Sequence, residues 1–464
     1  MHYDVLVLGS GPAGFYCALH CARLGRNTIL VERDRLGGTG FRWGCLPVKM
    51  MLDRLRAGER VTDEPRGSRA TSLIPDTARR IQEVEPRIRR RLTAAGVEVV
   101  RGEGRFADPG TFRLGSRTIL ASRVVIATGT EPAGWPGITL DGETILSHRD
   151  ILGLTEIPEH LLILGGDVEG IEFACLFARL GGRVTVIEKE ERILPGTDPD
   201  LAGPIERDLL NRGVSLRTGA EVGDCILTGG ATVSLRDGST VGGDRLLVTG
   251  LRRPNFPEGL DRTDVEHDNQ KITVNKELQT SCDSIYAVGD INGVTGMAHA
   301  AIQQGLLAAR RIAESDGPPG PGARGAPAGS EHSAAPGPGD TTAGAIAAPP
   351  YPRAIYTIPE IAGAGYQENE LQTEGIPYRR FVHRLADTWR GFSKGTEEGF
   401  VKVLAGEDSR IVGLWICGAD ASEQAALFGP LLGEGLTLSG LRDGLTLHPT
   451  LGEAALEAVL EGDQ

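Results

Sequence analysis

Residues Asp4–Glu32 read DVLVLGSGPAGFYCALHCARLGRNTILVE. An apolar strand pattern runs into the glycine-rich turn Gly9-Ser10-Gly11-Pro12-Ala13-Gly14. A helix pattern then ends at Leu24-Gly25, and a second, β-branched strand closes on Glu32. A GxGxxG turn between strand and helix serves three needs at once. Gly9 permits the tight turn, Gly11 lets a pyrophosphate approach the backbone, and Gly14 lets the helix sit close to the strand. Glu32 stands where a ribose hydroxyl is held. The stretch predicts a βαβ unit that binds a dinucleotide.

His160–Glu188, HLLILGGDVEGIEFACLFARLGGRVTVIE, repeats the pattern. The spacing from first glycine to closing glutamate is the same in both, Gly9 to Glu32 and Gly165 to Glu188. Two such units in one chain imply two dinucleotides.

The 464 residues suit roughly two to four domains at about 100–200 residues each. A net charge of −13 argues against a nucleic-acid partner, since phosphate binding needs a basic face. The seven cysteines are scattered with no CxxC pair, so neither a disulfide scaffold nor a metal site is expected. No apolar run reaches the ~18 residues of a membrane span, and no charged leader precedes the opening strand. A soluble, cytoplasmic protein is expected.

Between the two units, residues 50–95 read as polar, Arg-rich helices and 96–130 as short strands ending in RVVIATGTEP. The run Arg87–Arg91 reads as a solvated helix face. After the second unit come further strands and SIYAVGDING. Residues 316–350 are dominated by Pro, Gly, Ala and Ser without apolar periodicity, the composition of a disordered linker. Residues 351–464 alternate strand and helix patterns and finish in LHPTLGEAALEAVL.

Six motifs occur in a telling order: GSGPAG with Glu32, GGTGFRWGCLPVK at 37–49, ATG at 127–129, GIE at 170–172, IYAVGD at 285–290 and HPTLGE at 448–453. With them the chain resembles the class I pyridine nucleotide–disulfide oxidoreductases, the dihydrolipoamide dehydrogenase-like family, over nearly its whole length outside the linker. The resemblance implies an α/β fold: two Rossmann-like dinucleotide-binding domains, for FAD and NAD(P), and a C-terminal α+β dimerisation domain. Residues 1–148 and the return segment 273–315 would form the FAD-binding domain, 149–272 the NAD(P)-binding domain and 351–464 the dimerisation domain. FAD would be held by Gly9, Gly11, Gly14, Glu32, Thr39, Gly129 and Asp290, the last at the ribityl–phosphate region. Gly165, Gly170 and Glu188 would hold the nicotinamide nucleotide, and the protein would be a homodimer.

The chain departs from the family at two places. The family's redox segment reads GGTCxxxGCxPSK, with both cysteines in a disulfide beside the flavin; here the first position is Gly40 and the second Cys45. An internal 40–45 disulfide is therefore impossible. Cys45 reads either as a working thiolate or as an inert buried cysteine beside the flavin. Lys49 matches the family's lysine near the flavin and is expected to pair with Glu172, as a catalytic charge or as a structural ion pair. His448 and Glu453 match the family's acid–base pair, in which the glutamate orients a histidine that moves a proton at the partner's active site. The plainer reading of HPT is a shaped interface turn.

The second departure is Asp167, at the middle position of Gly165-Gly166-Asp167-Val168-Glu169-Gly170. It sets a negative charge where a pyrophosphate should approach. At 4 Å and an effective dielectric near 20, that repulsion is about 4 kcal/mol before screening, and a quarter of it weakens binding roughly fivefold. Glu188 favours NAD(H) over NADP(H), because it would repel a 2′-phosphate. The family's GRxPN segment is also altered, to GLRRPN at 250–255.

The leading expectation is an FAD-dependent oxidoreductase that takes hydride from NAD(P)H and passes electrons to a small-molecule, non-disulfide acceptor such as a quinone. One alternative is dihydrolipoamide dehydrogenase-like thiol chemistry through Cys45 alone. The other is a catalytically impaired, flavin-binding regulatory protein.

Overall fold

The structure, a computed structural model, describes residues 2–58, 70–227, 229–315, 351–395, 398–444 and 446–462. The expected linker at 316–350 lies outside the described residues. The described chain gathers into two compact units, one holding residues 2–51, 70–156 and 251–315, the other 52–58, 157–250 and 351–462.

The first unit is built on a parallel sheet in the order Glu98–Arg101, Thr28–Glu32, His2–Leu8, Arg117–Ile126, Ile285–Ala287. The long strand Arg117–Ile126 does two jobs. Its first half pairs antiparallel with Thr111–Leu114, and its second half runs parallel to Ile285–Ala287. Val5, Leu6, Val7 and Leu8 are all buried, as befits a strand covered on both faces. The helix Pro12–Arg23 starts with Pro at its first turn and stops at Leu24, followed by Gly25 at φ +80°. It buries Phe15, Cys17, Ala18, Leu19 and Cys21 against the sheet and against the helix Ala298–Ser315. That second contact is intimate, since a Cβ at Gly305 would sit 2.3 Å from the Ala13 carbonyl oxygen. The Arg-rich stretch forms the helices Ala70–Ile81 and Val84–Ala94. On the latter, Arg87 and Arg89 pair with Glu83 and Glu85 one turn back, while Arg91 lies 4.9 Å over the Phe15 ring.

The second unit repeats the design. Its parallel strands run in the order Ser215–Arg217, Arg183–Ile187, His160–Leu164, Arg245–Val248, with the helix Val168–Arg179 between the first two in sequence. A three-stranded antiparallel sheet, Val222–Leu227, Ala231–Leu235 and Thr240–Gly243, is attached. The C-terminal part is a five-stranded antiparallel sheet in the order Arg353–Ile355, Glu360–Gly365, Ile411–Gly418, Phe400–Ala405, Arg379–Arg384. The helices Ala421–Gly433 and Glu453–Gly462 pack on it. The two halves of this unit are joined by a buried ion cluster. Lys402, with no exposed side chain, places its Nζ 2.7 Å from Asp198 and 2.8 Å from both Asp200 and Glu368.

Candidate functional site

The two glycine-rich turns have closely matched geometry. Gly9 has φ +99° and Gly165 φ +109°, values only glycine adopts without strain. A Cβ at Gly14 would lie 2.1 Å from the Gly9 carbonyl oxygen, and one at Gly170 would lie 1.9 Å from that of Gly165. Both helices therefore begin as close to their strands as backbone allows. A Cβ at Gly11, by contrast, would meet nothing within 4 Å. The space in front of this helix N-terminus is open, where backbone N–H groups and the helix dipole favour a phosphate.

The closing glutamates brace these turns. Ser10 donates from its N–H and Oγ to Glu32 Oε2 at 2.9 and 2.6 Å, and the Asp34 N–H donates to Oε1 at 3.0 Å. In the second unit Glu188 accepts from the Gly166 N–H and, at 2.9 Å, from the Glu190 N–H. The sequence pointed to a ribose role for each carboxylate. The structure adds that each also fixes the turn from behind, and Ser10, which also accepts from the Gly37 N–H at 3.0 Å, was not anticipated.

Asp290 opens the short turn Asp290–Asn292. Gly289, at φ +77°, brings this turn against the first helix; a Cβ there would be 3.2 Å from Ala13 Cβ. Gln304 holds it by accepting from the Gly289 N–H at 2.7 Å and from Asn292 Nδ2 at 2.8 Å. Burial raises the Asp290 carboxyl pKa against the opposing pull of Arg252, and Thr130 Oγ1 donates to it at 3.3 Å. Gly129, at φ +62°, makes the turn of the ATG segment, and Asn255 staples it by donating to the carbonyls of Gly129 and Thr128 at 3.0 and 3.2 Å. This explains the Asn of the altered 250–255 segment, a role the sequence did not disclose. The open floor at Gly11, the braced Glu32 and the half-buried Asp290 together fit an adenine dinucleotide with a sugar-alcohol arm.

Thr39 and Gly40 lie on the short helix Gly38–Arg42, and Cys45 is the first residue of the helix Cys45–Arg56. A Cβ at Gly40 would be 2.7 Å from Pro12 Cγ and 3.7 Å from Ala298 Cβ. Position 40 is thus walled in by Pro12, at the start of the first helix. Cys45 is exposed at the start of its helix. Its place at a helix start sets it at the positive end of the helix dipole. Lys49 follows one turn later on the same face and is half-buried. Glu172 is 4% exposed and accepts the Tyr356 N–H at 3.0 Å. All seven cysteines are free, and Cys17, Cys21, Cys175 and Cys417 are buried; burial pushes the Cys417 thiol up to about 12.

His448 and Glu453 are brought together as the sequence suggested. His448 Nδ1 is 2.8 Å from Glu453 Oε1, and the Thr450 N–H donates to Oε2 at 2.6 Å. Burial pushes the Glu453 carboxyl up, but the Thr450 N–H and His448 outweigh it and the net shift is downward. An ionised carboxylate only accepts, so Nδ1 carries a proton, and in the neutral imidazole Nε2 carries the lone pair. The His448 side chain is 62% exposed.

Asp167 is the first-turn cap of its helix with φ −87° and ψ −174°, relaxed values for any residue. Its side chain makes no capping hydrogen bond and is exposed. The charge therefore stands free where Gly11 leaves open space in the other copy. The carboxylates of Asp198, Asp200 and Glu368 approach within 4.8 Å of one another, close enough for a metal ion. The Lys402 ammonium already sits among them, so the cluster carries its own cation.

Comparison with known proteins agrees with this architecture. The pyridine nucleotide-disulphide oxidoreductase family matches residues 3–305, and its dimerisation domain matches 351–459. The chain is 32% identical to dihydrolipoyl dehydrogenase 2 of Haloarcula marismortui, over 98% of this chain and 95% of that one. It is 30% identical to a soluble pyridine nucleotide transhydrogenase of Mycobacterium tuberculosis, over 99% and 97%. The crystal structure of LpdA from the same organism superposes with a TM-score of 0.84 at 25% identity, over 98% and 99% of the two chains. Among the described residues, no helix is long and apolar enough to cross a membrane.

Proposed function

The chain belongs to the pyridine nucleotide-disulphide oxidoreductase family, and from that premise we propose that it passes hydride from NADH through FAD to a small, non-disulfide acceptor such as a quinone. The family binds FAD and uses NAD(P)H, and its relatives are oxidoreductases of the lipoamide dehydrogenase and transhydrogenase type. FAD, when bound, would supply the two-electron hydride chemistry.

The observation that carries the non-disulfide acceptor is Gly40. No sulfur stands there to pair with Cys45, and Pro12 Cγ closes the direction a side chain would take. The remaining residues take defined parts. Gly9, Gly11, Gly14, Glu32, Thr39, Gly129 and Asp290 hold FAD; Gly165, Gly170 and Glu188 hold the nicotinamide nucleotide. Glu188 excludes a 2′-phosphate and Asp167 weakens the pyrophosphate contact. Lys49 supplies positive charge near the flavin. His448, fixed through Nδ1 by Glu453, moves a proton at Nε2 to the reduced acceptor in a homodimer.

Exposed Cys45 at a helix start, with His448 and Glu453 intact, favours a second reading: thiol exchange by Cys45 alone. Turnover of Cys45→Ser with NADH and a water-soluble quinone separates the two. Retained quinone reduction without dihydrolipoamide oxidation supports the first reading; dihydrolipoamide oxidation in the parent that the substitution abolishes supports the second.

A further inference from the structure

Leu194 lies in the loop between the strand Arg183–Ile187 and the helix Pro199–Asn211. Its φ is +49°, in the left-handed region that strains a leucine, and its side chain is fully buried. Pro195 follows it, and a proline ordinarily pushes the residue before it to extended backbone. In this unfavourable conformation the Leu194 N–H donates to the Gly166 carbonyl at 2.8 Å. Gly166 is the second residue of the second glycine-rich turn, and its own N–H donates to Glu188. Gly166 is therefore held at both backbone polar groups.

The first unit makes the corresponding contact without strain. Gly37, at φ +126°, donates its N–H to the hydroxyl of Ser10, the counterpart of Gly166, at 3.0 Å. Gly166 offers no side chain, so the second unit must reach its backbone, and it does so from a strained leucine. Strain of this kind persists only where the surroundings over-determine it. Here they do. The Thr197 N–H donates to the Leu194 carbonyl at 2.8 Å, and the Gly219 N–H donates to that of Glu190 at 2.8 Å. Gln367 Nε2 donates to the Gly196 carbonyl at 3.0 Å. Asp198 closes the loop: its carboxylate accepts the Glu368 and Asn369 N–H groups, both at 2.9 Å, and meets Lys402 Nζ at 2.7 Å. Loop 189–198 is thus fastened at one end to the glycine-rich turn and at the other to the buried Lys402 cluster.

We propose that loop 189–198 presets the second glycine-rich turn for its nucleotide, with Leu194 the positioning residue at the turn and Asp198 its anchor. The inference rests on the reading that Gly165, Gly170 and Glu188 hold NADH. Both residues act through the turn: a turn already in shape spares binding the cost of forming it. Anaerobic stopped-flow reduction of the full-length, FAD-loaded protein by NADH separates the dissociation constant from the limiting rate of flavin reduction. Leu194→Ala removes the buried side chain that enforces the strained backbone. With about one molecule in ten still preset, the dissociation constant rises about tenfold while the limiting rate stays within about twofold. Leu194→Gly, which adopts positive φ freely, weakens NADH binding less than Leu194→Ala does. Leu194→Met, of similar volume, restores the parent value. Leu209→Ala, an equally buried leucine on the helix Pro199–Asn211, controls for lost packing and leaves the dissociation constant unchanged. Far-UV circular dichroism and FAD content confirm folding. If Leu194→Ala fails to fold, Asp198→Asn carries the test, with binding expected to weaken about threefold. A dissociation constant within about twofold of the parent in the variant that folds overturns the proposal. So does equal weakening by alanine and glycine at 194, which assigns the effect to lost burial. A parent flavin that NADH does not reduce removes the nucleotide reading itself, and the proposal with it, before any variant is compared.

Discussion

Gly11 and Asp167 hold the same station in two copies of one turn, each capping its helix with extended backbone at φ −62°, ψ −179° and φ −87°, ψ −174°. The backbone does not call for glycine at this station; only the approaching phosphate does. Asp167 is exposed and its charge screened, so the penalty is a fraction of the ~4 kcal/mol expected at close range. Asp167→Gly should tighten NADH binding by at least about fivefold. The KM for NADH, or the dissociation constant from anaerobic titration, checks this. An unchanged value would mean the nucleotide avoids that turn.

The His448–Glu453 pair should matter only where a proton moves. His448→Gln is expected to slow turnover with a quinone by about 100-fold and Glu453→Gln by less. Reduction of ferricyanide, which takes electrons without a proton, should be unaffected in both. A parallel loss with the two acceptors would point to a purely structural turn.

Lys402 is expected to be the most damaging single charge to remove in the second unit. Lys402→Met leaves the carboxylates of Asp198, Asp200 and Glu368 facing one another, with Arg380 as the nearest remaining cation for the last two. Breaking a buried ion cluster by removing one partner costs about 3–5 kcal/mol. The unfolding midpoint in urea should fall accordingly.

His160 gives the second unit a specific acid sensitivity. Arg183 Nη2 lies 2.6 Å from His160 Nδ1, and a guanidinium only donates, so Nδ1 accepts and Nε2–H donates to Thr185 Oγ1 at 2.9 Å. Burial, then the Arg183 charge, lowers the imidazole pKa below its ordinary 6.5. The unfolded chain therefore binds the proton first. This contribution is present above pH 6.5 and is lost as pH falls through the lower folded value. Thermal midpoints at pH 7.5 and 5.5 should differ more for the parent than for His160→Gln. Equal differences would exclude this histidine as a source.

The parts legible in the sequence are those written in local pattern. Both βαβ units follow from glycine spacing and apolar period, and His448 meets Glu453 because they lie only five positions apart across a turn. What escaped is long-range. Lys402 reads as one polar residue in the strand FVKVLA, and its partners Asp198 and Glu368 lie 204 and 34 residues away. The exposure of Cys45 likewise depends on how its helix starts, which composition does not reveal. Asn255 braces a turn 126 residues before it, Gly129, through a backbone contact that no side-chain pattern announces.

Anaerobic titration of the FAD-loaded protein with NADH, followed at the flavin absorbance, tests the account most directly. The flavin should bleach on addition of NADH, more readily than with NADPH, and regain its colour when a quinone is admitted. Reduction by dithionite but by neither nicotinamide nucleotide would contradict the account and leave a flavin-binding protein without this electron source.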